Sequence, residues 1–161
     1  MTHHRVRRAD YRDTADADRI IDLLDAYARD PMGGGQALDD FCRKHLADAL
    51  ARRDDALTLL AFDGDRAVGL LNAFEGFSTF CCRPLFNIHD LYVAPQARNR
   101  GLARRMIAEL ERIARERGCC KLTLEVLSGN AAAHASYRKA GFEPYRLDPA
   151  QGQAEFWQKT L

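Results

Sequence analysis

The spacing of apolar positions changes several times along the chain. Ile20, Ile21, Leu23, Leu24 and Tyr27 recur at helical intervals behind Asp13, Thr14 and Asp16, side chains suited to capping a helix start. Pro31 and the Gly33-Gly34-Gly35 run end that helix. A second helix is expected from about Leu38 to Arg52, with Phe41, Leu46 and Leu50 as its apolar face. Leu57 to Phe62 is unbroken apolar sequence suited to a central strand. Asp63-Gly64-Asp65 reads as a turn, and Val68 to Phe74 as the returning strand.

Residues 76–86 read as a loop carrying Phe77, Phe80 and Phe86. Ile88, Leu91 and Val93 then form a strand stopped by Pro95. Leu102, Met106, Leu110 and Ile113 return to helical spacing after Gly101. Lys121 to Val126 alternates polar and apolar residues, so one face of that strand is expected to lie deeper. Ala131 to Ala140 reads as a helix closed by Gly141. Arg5 to Tyr11 offers a first edge strand, and Phe142–Tyr145 and Glu155–Leu161 offer the last two. The resulting order, β-α-α-β-β-β-α-β-α-β-β, predicts an α/β fold with one mixed sheet flanked by about four helices.

At 161 residues the chain is expected to form a single domain, 1–161, with one substantial core. A formal charge of +1 gives no global electrostatic case for nucleic acid or an anionic membrane as partner. Cys42, Cys81-Cys82 and Cys119-Cys120 contain no C-x-x-C spacing, so reduced thiols in a cytoplasmic protein are expected, with no metal. The N-terminus has no apolar leader core, and no apolar run approaches a membrane span.

The richest stretch is 87–116. A strand passes into the polar loop Gln96–Arg100 and then into a helix start at Gly101. Unpaired N–H groups and the helix dipole make such a turn an anion site. The patterns G-x-x-x-x-G-K-[ST] and G-x-G-x-x-G are both absent. What stands there is Arg98-x-x-Gly101-x-Ala103 after Leu91-x-Val93-x-Pro95. Further on comes Asn130-x-x-Ala133-x-x-x-Tyr137-x-Lys139-x-Gly141-Phe142.

These two motifs, in this order, resemble the acyl-CoA loop and the second signature of the GNAT superfamily of N-acetyltransferases. The resemblance implies acetyl-CoA as cosubstrate. Leu91, Tyr92 and Val93 would meet the pantetheine as a pseudo-strand. Arg98, Asn99, Arg100, Gly101, Leu102 and Ala103 would hold the pyrophosphate, and Asn130 would contact the pantetheine arm. Tyr137 would stand by the sulfur and protonate the leaving thiolate, a role that suits a neutral O–H donor. The family loop often has Gly where Ala103 stands.

Similarity to the diamine and polyamine branch places acceptor groups at Tyr27 and Asp30, beside the Gly33–Gly35 loop, with Glu75 and Phe77 opposite. In this reading Asp90 holds a cationic amine and His89 accepts a proton or orients a water. Strand alternation is expected to send those two side chains to opposite faces. Direct acetyl transfer to a small primary amine, polyamine or amino-acid-like amine is the first expectation. A protein lysine or N-terminal acetyltransferase and a non-catalytic CoA-binding module are the alternatives. The resemblance also implies a homodimer.

Overall fold

The computed structural model describes residues 4–152 and 154–161, so the first three residues of the polar N-terminus lie outside the description. The described residues divide into two compact units, the first ending at Leu124 and the second beginning at Glu125.

The first unit is built on a five-stranded sheet in chain order. Strands β1 (His4–Arg8), β2 (Ala56–Asp63), β3 (Arg66–Ser78) and β4 (Arg83–Val93) pair antiparallel, and β5 (Leu122–Leu124) joins β4 in parallel. The β2–β3 hairpin turns through Gly64-Asp65, as the sequence predicts. β1 stops at Arg8 instead of Tyr11. The Asp16 carboxylate takes the Asp10 N–H at 3.0 Å, and the chain turns into helix α1 (Thr14–Arg29), capped by Asp13.

β2 is buried along nearly its whole length, as its apolar run requires. Helix α3 (Leu102–Glu116) lays Leu102, Met106, Ile107, Leu110 and Ala114 into one sheet face. Burying each of its large side chains stabilises the unit by roughly 1.5–3 kcal/mol. Helix α1 covers the other face, where Arg19 sits over the ring of Phe62 with Arg5 and Arg7. Helix α2 (Asp40–Ala51) buries Leu50, but Phe41 is exposed, its ring against that of His45 on its own helix. The expected apolar face of α2 is therefore half realised.

Two further expectations are corrected here. The long loop at 76–86 is mostly strand, because β3 and β4 continue their ladder to Ser78↔Arg83 and leave only residues 79–82 as a turn. Its three phenylalanines part company: Phe86 is fully buried, whereas Phe77 and Phe80 are exposed. β5 is also shorter than expected, and Leu122, Thr123 and Leu124 are all half-buried, without a deeper face.

The second unit contains helix α4 (Ala131–Lys139), capped by the Asn130 side chain, which accepts from the Ala133 N–H at 3.1 Å. Gly141, at φ 87°, lets the chain leave the helix. The Phe142 N–H then returns to the Tyr137 carbonyl at 3.0 Å. The two final strands are not formed among the described residues. Residues 142–145 and 155–161 join no ladder, and Tyr145, Phe156 and Trp157 are exposed. Short segments need a neighbouring strand's hydrogen bonds to become β-structure.

Candidate active site

β4 carries the centre of the site. Its pairing with β3 runs Asn72↔Asp90 and then Ala73↔Ile88, so His89 is an extra residue in a bulge. The Asp90 carboxylate accepts from the Asn72 side-chain N–H at 2.9 Å, and the His89 ring meets Phe74 edge-on at 5.6 Å. Asn72 and Phe74 are two apart on β3 and share one face. The bulge thus brings His89 and Asp90 to the same side, which corrects the expectation from simple alternation.

That side faces α1. Tyr27, near the end of α1, packs its ring 5.8 Å from the ring of Tyr92. Burial pushes the Tyr27 phenol pKa up, and the nearby Asp90 and Asp30 charges push it further. The phenol is therefore a neutral hydrogen-bond donor facing two carboxylates. Asp30 ends α1 and caps the short turn Pro31–Gly33 through the Met32 N–H at 3.0 Å. That bond, with Arg98 second, holds the Asp30 carboxyl below its ordinary value. Gly33 is needed at this corner: a Cβ there would fall 1.9 Å from the Tyr27 carbonyl oxygen.

The loop after β4 is drawn onto the same corner. Arg98 donates to the Val93 carbonyl at 3.0 Å and to Asp30 at 3.0 Å, while Arg100 pairs with Asp63 at 2.9 Å. These arginines brace the turn as well as supplying charge. Asn99 and Gly101 both take positive φ, 62° and 76°. Gly101 occupies the N-cap of α3 and offers no side-chain acceptor to the N–H groups of Leu102, Ala103 and Arg104. Those donors suit an anion. A Cβ on Gly101 would meet nothing within 4 Å, so its requirement there is conformational rather than steric.

Not every expected residue joins this corner. Glu75 and Phe77 lie on β3 positions of the opposite parity, and Glu75 pairs with Arg117, just past α3, at 2.7 Å. Leu91 and Val93 likewise alternate toward the α3 side, opposite Leu71 and Gly69. Asn130 and Tyr137 belong to the second unit. There the half-buried Tyr137 ring packs edge-on to Phe142 at 5.9 Å. Among the described residues no group of three or more His, Cys, Asp or Glu side chains is placed to hold a metal. Sequence reasoning missed Asn72, Thr58 and the packing of the Tyr92 ring against Tyr27. The one available signal was a lone Asn inside the apolar run 68–74.

A family model described as the acetyltransferase (GNAT) family matches residues 19–142. The chain belongs to that family. As a GNAT acetyltransferase it resembles streptothricin acetyltransferase of Streptomyces lavendulae, at 37% identity over 109 residues, 66% of this chain and 56% of that protein. It is 25% identical over 130 residues to the uncharacterized N-acetyltransferase YhfO of Bacillus subtilis, covering 81% of this chain and 85% of that one. A thialysine N-epsilon-acetyltransferase of Caenorhabditis elegans is 32% identical over 100 residues, 56% of this chain and 62% of that protein. The chain therefore spans little more than half the length of the streptothricin enzyme and under two thirds of the thialysine enzyme. An aminoglycoside N-acetyltransferase solved with CoA has the same fold, with a TM-score of 0.77 at 18% identity, covering 100% of this chain and 97% of that chain. No described helix of this GNAT member is long and apolar enough to cross a membrane.

Proposed function

We propose that the protein transfers an acetyl group directly from acetyl-CoA to a primary amine of a small molecule. The observation that carries this reading is the Arg98–Asp30 ion pair, 3.0 Å long. It joins the anion-binding turn to a corner holding Asp30, Tyr27 and Asp90, so donor phosphate and acceptor amine have adjacent sites. Both motif segments fall inside the 19–142 family match, which crosses from the first unit into the second. That continuity supports treating 1–161 as one transferase domain.

In the proposed reaction the uncapped N–H groups of residues 102–104 hold the CoA diphosphate. The β4 backbone next to the bulge meets the pantetheine and thioester, and Asn130 contacts the pantetheine arm. Asp90 and Asp30 attract the acceptor as an ammonium ion. An alkylammonium of pKa about 10.4 must lose a proton to react, a cost of about 4.6 kcal/mol near pH 7. His89 or a bound water takes that proton. The neutral amine attacks the thioester carbonyl, the C–S bond breaks as Tyr137 protonates the departing thiolate, and the extra proton left on the nitrogen passes through solvent to restore Tyr137.

Polyamines, diamines and amino-acid-like amines fit a corner with two carboxylates and two tyrosine rings. The small-amine acetyltransferases among its relatives favour the same class. A homodimer in the cytoplasm completes the reading, and sedimentation analysis that finds only monomer at high concentration would remove the dimer. The decisive test is thiol release from acetyl-CoA with spermidine, thialysine, sisomicin or a lysine peptide as acceptor. Turnover stimulated by the small amines supports the proposal. Stimulation by the peptide alone would make the protein a protein acetyltransferase. CoA binding without turnover would make it a sensing module.

A further inference from the structure

β2 and β3 bury a polar chain that no catalytic step above uses. Tyr11 and Thr58 hydroxyls lie 2.9 Å apart, Thr58 reaches the Asn72 carbonyl oxygen at 2.6 Å, and Asn72 reaches Asp90 at 2.9 Å. Thr58 is 1% exposed and Asn72 4%. Their neighbours along the strands are Leu57, Leu59, Leu70, Leu71 and Ala73, all buried. An apolar pair of the same shape would satisfy such a position at little or no cost, so stability alone does not call for Thr and Asn.

The direction of every bond follows from the far end. An ionised carboxylate only accepts, so the Asn72 amide must present its NH₂ to Asp90 and its carbonyl to Thr58. Thr58 has one hydrogen and gives it to Asn72. Its oxygen then accepts from the Tyr11 O–H. Burial pushes the Tyr11 phenol pKa up, which keeps it a donor. A reversed Asn72 would aim its carbonyl at a carboxylate and its NH₂ at a hydroxyl already served by Tyr11.

We propose that Asn72, locked by Thr58 and Tyr11, is a positioning residue that fixes one oxygen of Asp90 and turns the other toward the acceptor amine. The inference rests on the amine-binding role assigned to Asp90 above. An amide cannot readily pass a proton along, so the chain orients the carboxylate rather than draining protons from it.

The test is steady-state kinetics on the full chain with the fastest amine of the panel, using Thr58→Val, Thr58→Ser, Tyr11→Phe, Asp90→Asn and the double variant Thr58→Val with Asp90→Asn. Losing the Thr58 hydroxyl should lower kcat/KM for the amine roughly tenfold while leaving KM for acetyl-CoA unchanged. Thr58→Ser restores the value, and Tyr11→Phe gives a smaller change in the same direction. In the double variant Thr58→Val adds nothing, because the group it orients is gone. If Thr58→Val fails to fold, Tyr11→Phe combined with Asp90→Asn carries the same comparison. An undiminished effect in the double variant, or parallel losses in both KM values, overturns the positioning role. Unchanged amine kinetics in Asp90→Asn alone would instead remove Asp90 from the proposed function and take this inference with it.

Discussion

Replacing Asp16 with Asn tests how the edge of the sheet is tied to the helix that carries Tyr27. Asp16 is 1% exposed, yet its carboxylate accepts four hydrogen bonds. Two come from Arg7 at 2.6 and 2.7 Å, one from Arg19 at 2.9 Å and one from the Asp10 N–H at 3.0 Å. Removing one partner of a buried ion pair costs about 3–5 kcal/mol when the other charge is stranded. Here both guanidinium groups are about one third exposed, at 34% and 35%, and water can take over part of their solvation. The loss should therefore sit near the lower figure, about 3 kcal/mol. In a chain of this length that corresponds to a fall in Tm of roughly 6–12 °C.

The pH dependence has a definite sign. The Arg7 hydrogen bonds hold the Asp16 carboxyl well below the ordinary carboxylate range. A folded-state pKa below the unfolded one contributes stability that is fully present above about pH 3.9 and is lost as pH falls below it. Calorimetry at pH 7 and at a series of acid values should show the wild-type advantage level near neutrality and shrinking below about pH 4. Equal melting temperatures at pH 7, or a gap that does not close in acid, would refute the reasoning.

Three other outcomes are expected. Gly101→Ala forces an L-residue into the left-handed region at φ 76°, a cost of about 1–2 kcal/mol with no clash to relieve. Calorimetric affinity for CoA should fall, and an unchanged affinity would put the diphosphate elsewhere. Tyr137→Phe should lower kcat by roughly 10²-fold or more with CoA affinity intact, and full turnover would remove it as the acid. The exposed Cys81 thiol has its pKa lowered, first by its hydrogen bond with Ser78, whereas burial raises those of Cys42 and Cys119. Iodoacetamide near neutral pH should alkylate Cys81 ahead of those two, and peptide mass spectrometry reporting the reverse order would contradict this.

Much of the fold was legible because its strongest signals are local. The stripe Leu102, Met106, Leu110 and the run Leu57–Phe62 needed no partner to be recognised. What was missed depends on pairing. Residues 76–86 look like loop because Gly76, Ser78, Thr79 and Pro84 are turn-forming types, and only the β3–β4 ladder makes strands of their flanks. The end segments failed in the opposite sense, since residues 155–161 look like strand but find no ladder. In the candidate site, the turn between β4 and α3 was readable from its local sequence. The shared side of His89 and Asp90 was not, because a bulge is a property of two strands together.

That inserted residue has a consequence for how the protein can change. Upstream of it, the even-numbered Phe86 and Ile88 pair with Glu75 and Ala73 and point toward α3; downstream, the even-numbered Asp90 and Tyr92 look toward α1. One strand thus runs in two phases, with the slip located at His89. Excising that single position would leave Ile88 and Asp90 adjacent and alternating opposite Ala73 and Asn72, so Phe86 and Ile88 would keep their apolar seat and only the His89 ring would be lost from the side Asp90 faces. The sheet's register therefore tolerates the strand with or without the extra residue, and what the insertion adds is a second side chain beside Asp90.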